Sequence, residues 1–223
     1  MRLSSGDSGI TTSIDHYNNT TAHRTLGNWL STNLQMNTAF EKLESRAGTY
    51  TRGIAVGYMT PYDAWISYFA CFLPSMTYTF PVTHHTKAKL DKLQAAPKQA
   101  TLLKLGYRRN IPDAVVYGSI HYGGIGLRPL FIEAGIAQFL IFTRHLRANT
   151  DIGSLLRITL HWWQVQAGVS FSLLEFPTAP LQYLAWDWFS CFRTFLRHIH
   201  GSLHVAYLSS NPPTPLRAND QRL

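Results

Sequence analysis

Along this chain of 223 residues, apolar positions recur at helical spacing in six stretches. The first runs from Thr38 to Arg52. There Phe40, Leu43, Ala47 and Tyr50 fall three and four apart on one face, and Thr38 with Glu41 makes a capping box at the start. A second helix starts at Thr60, with Pro61 in its first turn and Asp63 at the third position. It passes Trp65 and Tyr68 and is expected to stop before Pro74, with an extended segment after it. The third starts near Thr86. Leu90, Leu93, Leu102 and Leu105 face inward, and Pro97 is expected to kink or divide it. Further helices are predicted over 129–148, 152–167 and 180–199. In the last, Leu184, Trp188, Phe192, Phe195 and Ile199 share a face, and Gly201 is the stop.

The intervening stretches lack this period. Residues 1–21 are rich in Ser, Thr, Asn and Gly and read as a flexible leader. Thr25 to Leu30, apolar around Gly27, reads as a strand. Residues 107–128 form a loop-rich connector punctuated by Gly118, Gly123, Gly124 and Gly126, with a short strand expected at Val115-Val116-Tyr117. Pro212, Pro213 and Pro215 mark a disordered tail over 209–223. The expected fold is therefore mainly α. A small helical module over 22–106 and a second over 129–208 are joined by the glycine-rich connector, with minor β.

Apolar residues make up 45% of the chain and aromatic ones 13%, enough for a core and too many for a disordered chain. Lys and Arg outnumber Asp and Glu by 20 to 12. The net charge of +8 points to a polyanionic partner, nucleic acid or an acidic membrane face. The two cysteines, Cys71 and Cys191, exclude a disulfide framework and a cysteine zinc site, and both are expected in the core. Ala64 to Thr83 carries no charge, but its apolar part ends at Leu73, too short to cross a bilayer. Met1 to Gly6 has no apolar run behind Arg2, so no secretory signal is read there. These features suggest an intracellular location, nucleus or cytoplasm, and no membrane partner.

Charge is concentrated between Lys87 and Arg109. Lys87, Lys89, Lys92, Lys98, Lys104, Arg108 and Arg109 stand there against one acid, Asp91. Cations placed near backbone phosphates displace condensed counterions, so this run is a candidate nucleic-acid surface, and charge reversal at Lys92 and Lys98 is expected to abolish retention on heparin or RNA. The alternative is a solvated helix face. Trp162-Trp163 is read as packing rather than base stacking, and His198, His200 and His204 as surface groups rather than metal ligands. Gly123-Gly124-Ile125-Gly126 lacks the Gly-Lys-Ser/Thr of a phosphate loop. The aspartates Asp7, Asp15, Asp63, Asp91, Asp113, Asp151, Asp187 and Asp220 include no adjacent pair, and two-metal nucleotidyl transfer needs carboxylates close together. No cofactor, metal or small-molecule substrate is expected, and no enzymatic activity of this chain alone.

The order of short motifs resembles the C-terminal thumb and connector region of non-LTR (LINE-like) retrotransposon reverse transcriptases. Arg24-Thr25-Leu26-Gly27 with Trp29-Leu30 resembles the hairpin that closes the palm in that family. The helices leading to Tyr68, Leu73-Pro74 and Tyr78 look like its thumb helices. Leu90-Asp91-Lys92-Leu93-Gln94 is similar to the helix that follows, and Gly123-Gly124-Ile125-Gly126-Leu127 with Leu130 resembles the element after the thumb. Leu105-Gly106-Tyr107-Arg108-Arg109-Asn110, His145-Leu146-Arg147 and Gln164-Val165-Gln166-Ala167-Gly168 are most similar to reverse-transcriptase-like open reading frames of diatoms and fungi. The likeness spans about Arg24 to Leu203 and departs where activity is concerned: the family's paired-aspartate motif would precede Leu26-Gly27, and only the polar leader stands there. The resemblance implies RNA or DNA as partner, faced by the thumb helices and the turn from Arg24 to Gly27 and gripped through phosphates. The missing palm and fingers of a polymerase are a second implied partner. A domesticated or decayed remnant acting as a protein-interaction module is the rival reading, and a small membrane protein a weaker one.

Overall fold

Thr60 is capped as its neighbours dictate. Its hydroxyl accepts from the Asp63 amide at 3.2 Å, and its own amide donates to the Asp63 carboxylate at 3.3 Å. In the computed structural model, residues 2–4, 11–13, 22–25, 28–30, 36–148, 150–181 and 187–205 are described. The protein is mainly helical. Two short antiparallel hairpins, β1 (Arg2–Ser4) with β2 (Thr11–Ser13) and β3 (His23–Thr25) with β4 (Asn28–Leu30), precede the helices. Parts of the expected leader are thus paired strands, and the stretch read as one strand at Thr25 to Leu30 belongs to two. The tail beyond Val205 and most of the leader lie outside the described residues. The chain divides into two compact units, Met1–Lys42 and Leu43–Leu223, and the second holds helices from both sides of the glycine-rich stretch.

Helix α1 covers Asn37–Val56. Because the Phe40 amide is already taken by the Met36 carbonyl, Thr38 sits inside the first turn instead of capping it. Leu43, Ala47 and Ile54 are its buried positions in the second unit, while Tyr50 is half-buried and bonds Ser67 and Thr101. Helix α2 (Pro61–Ser67) does not end before Pro74. It widens into a π-helical segment, Tyr68–Phe72, and continues as α3 (Leu73–Thr77), so the expected extended stretch is helix and then turns to Val82. Pro74 has no amide to give to the turn before it. The Leu73 amide reaches back five residues to the Tyr68 carbonyl, the π pattern that keeps the helix going. Cys71, expected in the core, is on the exposed side of this segment; Cys191 is buried.

Helix α4 (Lys87–Lys104) is capped by Thr86 and passes Pro97 without division. Leu90, Leu93 and Leu102 are buried as expected, whereas Leu105 is half-buried. The connector is packed, not loose. Val115–Tyr117 belongs to a short helix, α5 (Asp113–Tyr117), because Pro112 and Asp113 start a helix ahead of the β-branched pair. Val115 and Val116 carbonyls then accept from the Ile125 and Leu127 amides, which lays the glycine stretch back along α5. Gly118 and Gly124 meet so closely that a Cβ on Gly124 would lie 2.2 Å from the Gly118 carbonyl oxygen. Only glycine fits that approach.

Three long helices follow: α6 (Leu130–Arg147), α7 (Asp151–Ala167) and α8 (Trp188–His198). The last begins later than predicted, since the chain from Ser170 to Pro180 is irregular and residues 182–186 lie outside the described set. Gly135 of α6 lets α8 approach: a Cβ there would fall 2.0 Å from the Phe195 ring. At the end of α8 the left-handed residue is His200 (φ 53°), not Gly201. The Gly201 amide closes the cap on the Leu196 carbonyl at 2.9 Å.

Two buried polar groups organise this core. Gln94 of α4 donates to the Tyr68 hydroxyl (2.6 Å) and the Arg128 carbonyl (2.7 Å), and its oxygen accepts from the Leu130 amide (2.9 Å). The Tyr68 hydroxyl in turn donates to the Arg128 carbonyl at 3.0 Å, and burial drives its pKa well above the ordinary tyrosine value. Arg193 of α8 is buried and donates to the carbonyls of Leu173, Phe176 and Ala179 at 2.9, 3.1 and 2.9 Å. Burial, then the like charge of Arg197, pull its pKa down to about 10, so it stays charged at neutral pH.

His85 is also buried, and burial, then His84 and Lys89, hold its pKa at about 4 against an ordinary 6.5. Between those values the unfolded chain binds a proton that the folded chain refuses. Stability is complete above pH 6.5, falls as pH drops, and by pH 4 is expected to be lower by about 3 kcal/mol. Urea unfolding of His85→Gln beside the parent should show a flatter profile between these pH values; parallel profiles would assign the acid loss elsewhere.

Candidate nucleic-acid interface

The basic run is carried by α4 and the turn behind it, so helix geometry decides how its cations are shared among sides. At about 100° per residue, Lys87 and Lys98 fall on one flank of α4, Lys89 and Lys92 on its outer face, and Lys104 on the opposite flank. The run is therefore not one stripe. Most of its lysines also have partners of their own. Lys87 pairs with Asp91 at 2.6 Å and Lys98 with Asp113 at 2.9 Å. Lys92 lies 3.9 Å from Glu44, with its side chain 80% exposed, a separation and exposure worth little energy. Lys104 donates to the Gly57 carbonyl at 3.0 Å. Lys89 is exposed at the first turn, where its amide completes the Thr86 cap.

Lys87 and Lys98 reach the same cleft, a cavity of about 310 Å³ that Asp91, Asp113, Tyr117 and His198 also line. Its two ammonium groups are matched by two carboxylates, so the cleft carries little net charge. Burial works against the Lys98 ammonium, but the Asp113 hydrogen bond, the Tyr117 ring and the Asp113 charge outweigh it and raise its pKa. The Lys98 ammonium lies 5.4 Å from the centre of the Tyr117 ring. An anion arriving here would have to displace a carboxylate.

Beyond Lys104 the surroundings change. The chain turns at Leu105-Gly106, and Tyr107, Arg108 and Arg109 are all exposed. Among the described residues no carboxylate lies within ion-pair distance of either arginine. The Lys104 contact with Gly57 brings the loop before α2 to the same corner, and that loop presents Tyr58 fully exposed, with Tyr62 68% exposed just behind it. Three tyrosines and three cations thus share one end of the helical unit. Cations at this spacing meet phosphates, and exposed aromatic faces stack bases. The tyrosines went unread in the sequence because Tyr58 lies 50 residues from Arg108. The available signal was an aromatic residue on either side of the Thr60-Pro61 helix start.

Arg24 lies in the first unit, exposed on β3 and paired across the hairpin with Trp29. The Lys42 ammonium sits 5.1 Å from the Trp29 ring centre. Of the tryptophan pair on α7, Trp163 is buried and packs against Phe189, whereas Trp162 is 58% exposed. His204 meets Glu175 at 3.3 Å and His198 packs edge-on against Phe131. Among the described residues no three His, Cys, Asp or Glu side chains gather as metal ligands, and no helix is long and apolar enough to cross a membrane. No protein-family model, curated protein or solved structure matches this chain.

Proposed function

We propose that this chain binds the phosphate backbone of RNA or DNA without base readout, as the thumb and connector portion of a non-LTR-type reverse transcriptase whose palm and fingers lie elsewhere. It supplies grip and no catalysis of its own. The observation that carries the reading is the corner built from Lys104, Tyr107, Arg108 and Arg109 with Tyr58 and Tyr62. There the cations lack carboxylate partners among the described residues and the rings lack cover. Phosphate contacts at such a corner position a strand and carry no sequence information. The lysines of the α4 flank contribute less, because Asp91 and Asp113 already hold them.

Binding of a single-stranded oligonucleotide across a salt series tests this. Arg108→Glu with Arg109→Glu is expected to weaken binding at least about tenfold at low salt and to flatten the salt slope by about 1.4, two phosphate contacts' worth. Tyr58→Ala should cost about 1–3 kcal/mol while leaving the slope unchanged, as loss of stacking does. Unchanged affinity in both variants would remove the corner from the account. Charge reversal at Lys98 should mainly lower stability, since it sets a second carboxyl group face to face with that of Asp113.

A further inference from the structure

Helix α7 carries a second surface unrelated to the basic corner. Ile152, Leu155, Ile158, Trp162 and Val165 are 49, 62, 63, 58 and 70% exposed. Their spacings of three, three, four and three put them on one side of the helix, away from the buried Gly153 and Leu160. Large apolar side chains are an expensive thing to leave in water in a continuous row. At roughly 100–150 Å² each, the five present on the order of 600 Å², as large as the largest apolar patch of a typical monomer and close to the ~800 Å² each partner contributes to a standard interface.

We propose that this stripe is the contact between two copies of the chain, α7 lying antiparallel to its mate across a two-fold axis. The spacing reads nearly the same in both directions. Under an antiparallel two-fold, Ile152 meets the mate's Val165, Leu155 meets Trp162, and Ile158 lies beside the axis near its own counterpart. The one large side chain, Trp162, thus meets the smaller Leu155, and one patch serves both sides, as an isologous contact requires. Burial there costs little electrostatically. Arg157 is the only Asp, Glu, Lys or Arg side chain between Ile152 and Ala167, and its guanidinium turns away to the Leu146 carbonyl at 3.2 Å. The same composition argues against an anionic bilayer, which favours helices with a lysine- and arginine-rich polar face. The inference uses none of the basic run and stands whether or not the chain binds nucleic acid.

The full chain is examined by sedimentation velocity over a range of micromolar concentrations. The expected result is a reversible dimer. Ile158→Glu, which brings two carboxylates together at the axis, should raise the dissociation constant at least about 100-fold. An equimolar mixture of Ile158→Glu and Ile158→Lys should restore a dimer as the mixed species. Leu103→Glu, a charge at an exposed leucine on α4, should leave the dimer intact. Trp162→Ala, which adds no charge and asks nothing new of the fold, should raise the dissociation constant at least about tenfold. A parent chain that stays monomeric throughout overturns the proposal, as does a dimer indifferent to both Ile158→Glu and Trp162→Ala. A monomer that sediments with phosphatidylserine vesicles through these residues overturns it too, in favour of a lipid surface.

Discussion

Arg193→Leu is expected to lower the free energy of unfolding by about 4 kcal/mol at neutral pH, read from urea melts followed by tryptophan fluorescence. The leucine removes a charge from the core, which by itself is favourable. It also takes a donor from three carbonyls; that of Phe176 keeps the Ala179 amide at 3.2 Å, while the Leu173 carbonyl belongs to a residue with almost no exposure. The stretch from Ser170 to Pro180 has no regular structure, so few backbone partners can take over. One that remains is the Leu203 amide on the Leu174 carbonyl. Arg193→Lys should recover only part of the loss, because one ammonium cannot span three carbonyls in the geometry of a guanidinium fork. A loss below about 1 kcal/mol for Arg193→Leu would mean that water satisfies these carbonyls and that the loop does not need the arginine.

The second large effect is expected at Gln94. Gln94→Leu keeps the side-chain volume but orphans the Leu130 amide at the buried start of α6, costing about 3 kcal/mol. The orientation of the amide follows from that contact, since a backbone N–H can only donate. Gln94→Glu is the sharper variant. Its carboxylate still accepts from Leu130 but turns an oxygen, not an N–H, toward the Arg128 carbonyl. Its stability should fall further than that of Gln94→Leu at neutral pH and recover as the carboxyl takes up a proton. Thermal melts of the two variants at pH 7 and pH 5 separate the cases; equal stability at both would dismiss the network as incidental.

Much of the helical plan was legible because it rests on local signals. Thr60 with Asp63, Thr86, and the apolar spacing of Leu90 and Leu93 each state a start or a buried face in a few residues. What escaped depends on partners far along the chain. Lys98 reads as a free cation until Asp113 folds against it. Arg193 reads as the polar side of an amphipathic helix, and nothing near it in sequence shows the carbonyls it will serve. Tyr58 joins Arg108 only through the Lys104 contact with Gly57. The basic run itself was visible as composition, but its division among the sides of α4 follows from spacing that a charge count ignores. The π-helical segment did leave a trace. Ala64, Tyr68, Phe72 and Met76 are all fully buried and stand four apart. An ordinary α-helix would drift about 40° at each such step, so an unbroken four-residue period asks for a wider turn somewhere within it.

That wide turn bears on how the chain tolerates changes in length. A π-helical segment is equivalent to one residue inserted into an ordinary helix. Losing a single codon anywhere from Tyr68 to Phe72 would heal the hydrogen-bond ladder, yet rotate everything before it by about 100° relative to everything after. Ala64 and Trp65 would then swing off the core that Met76 still faces, and the indole would leave the Ile125 carbonyl it now holds at 3.1 Å. This is a stretch in which a shorter gene would encode a better helix and a worse protein.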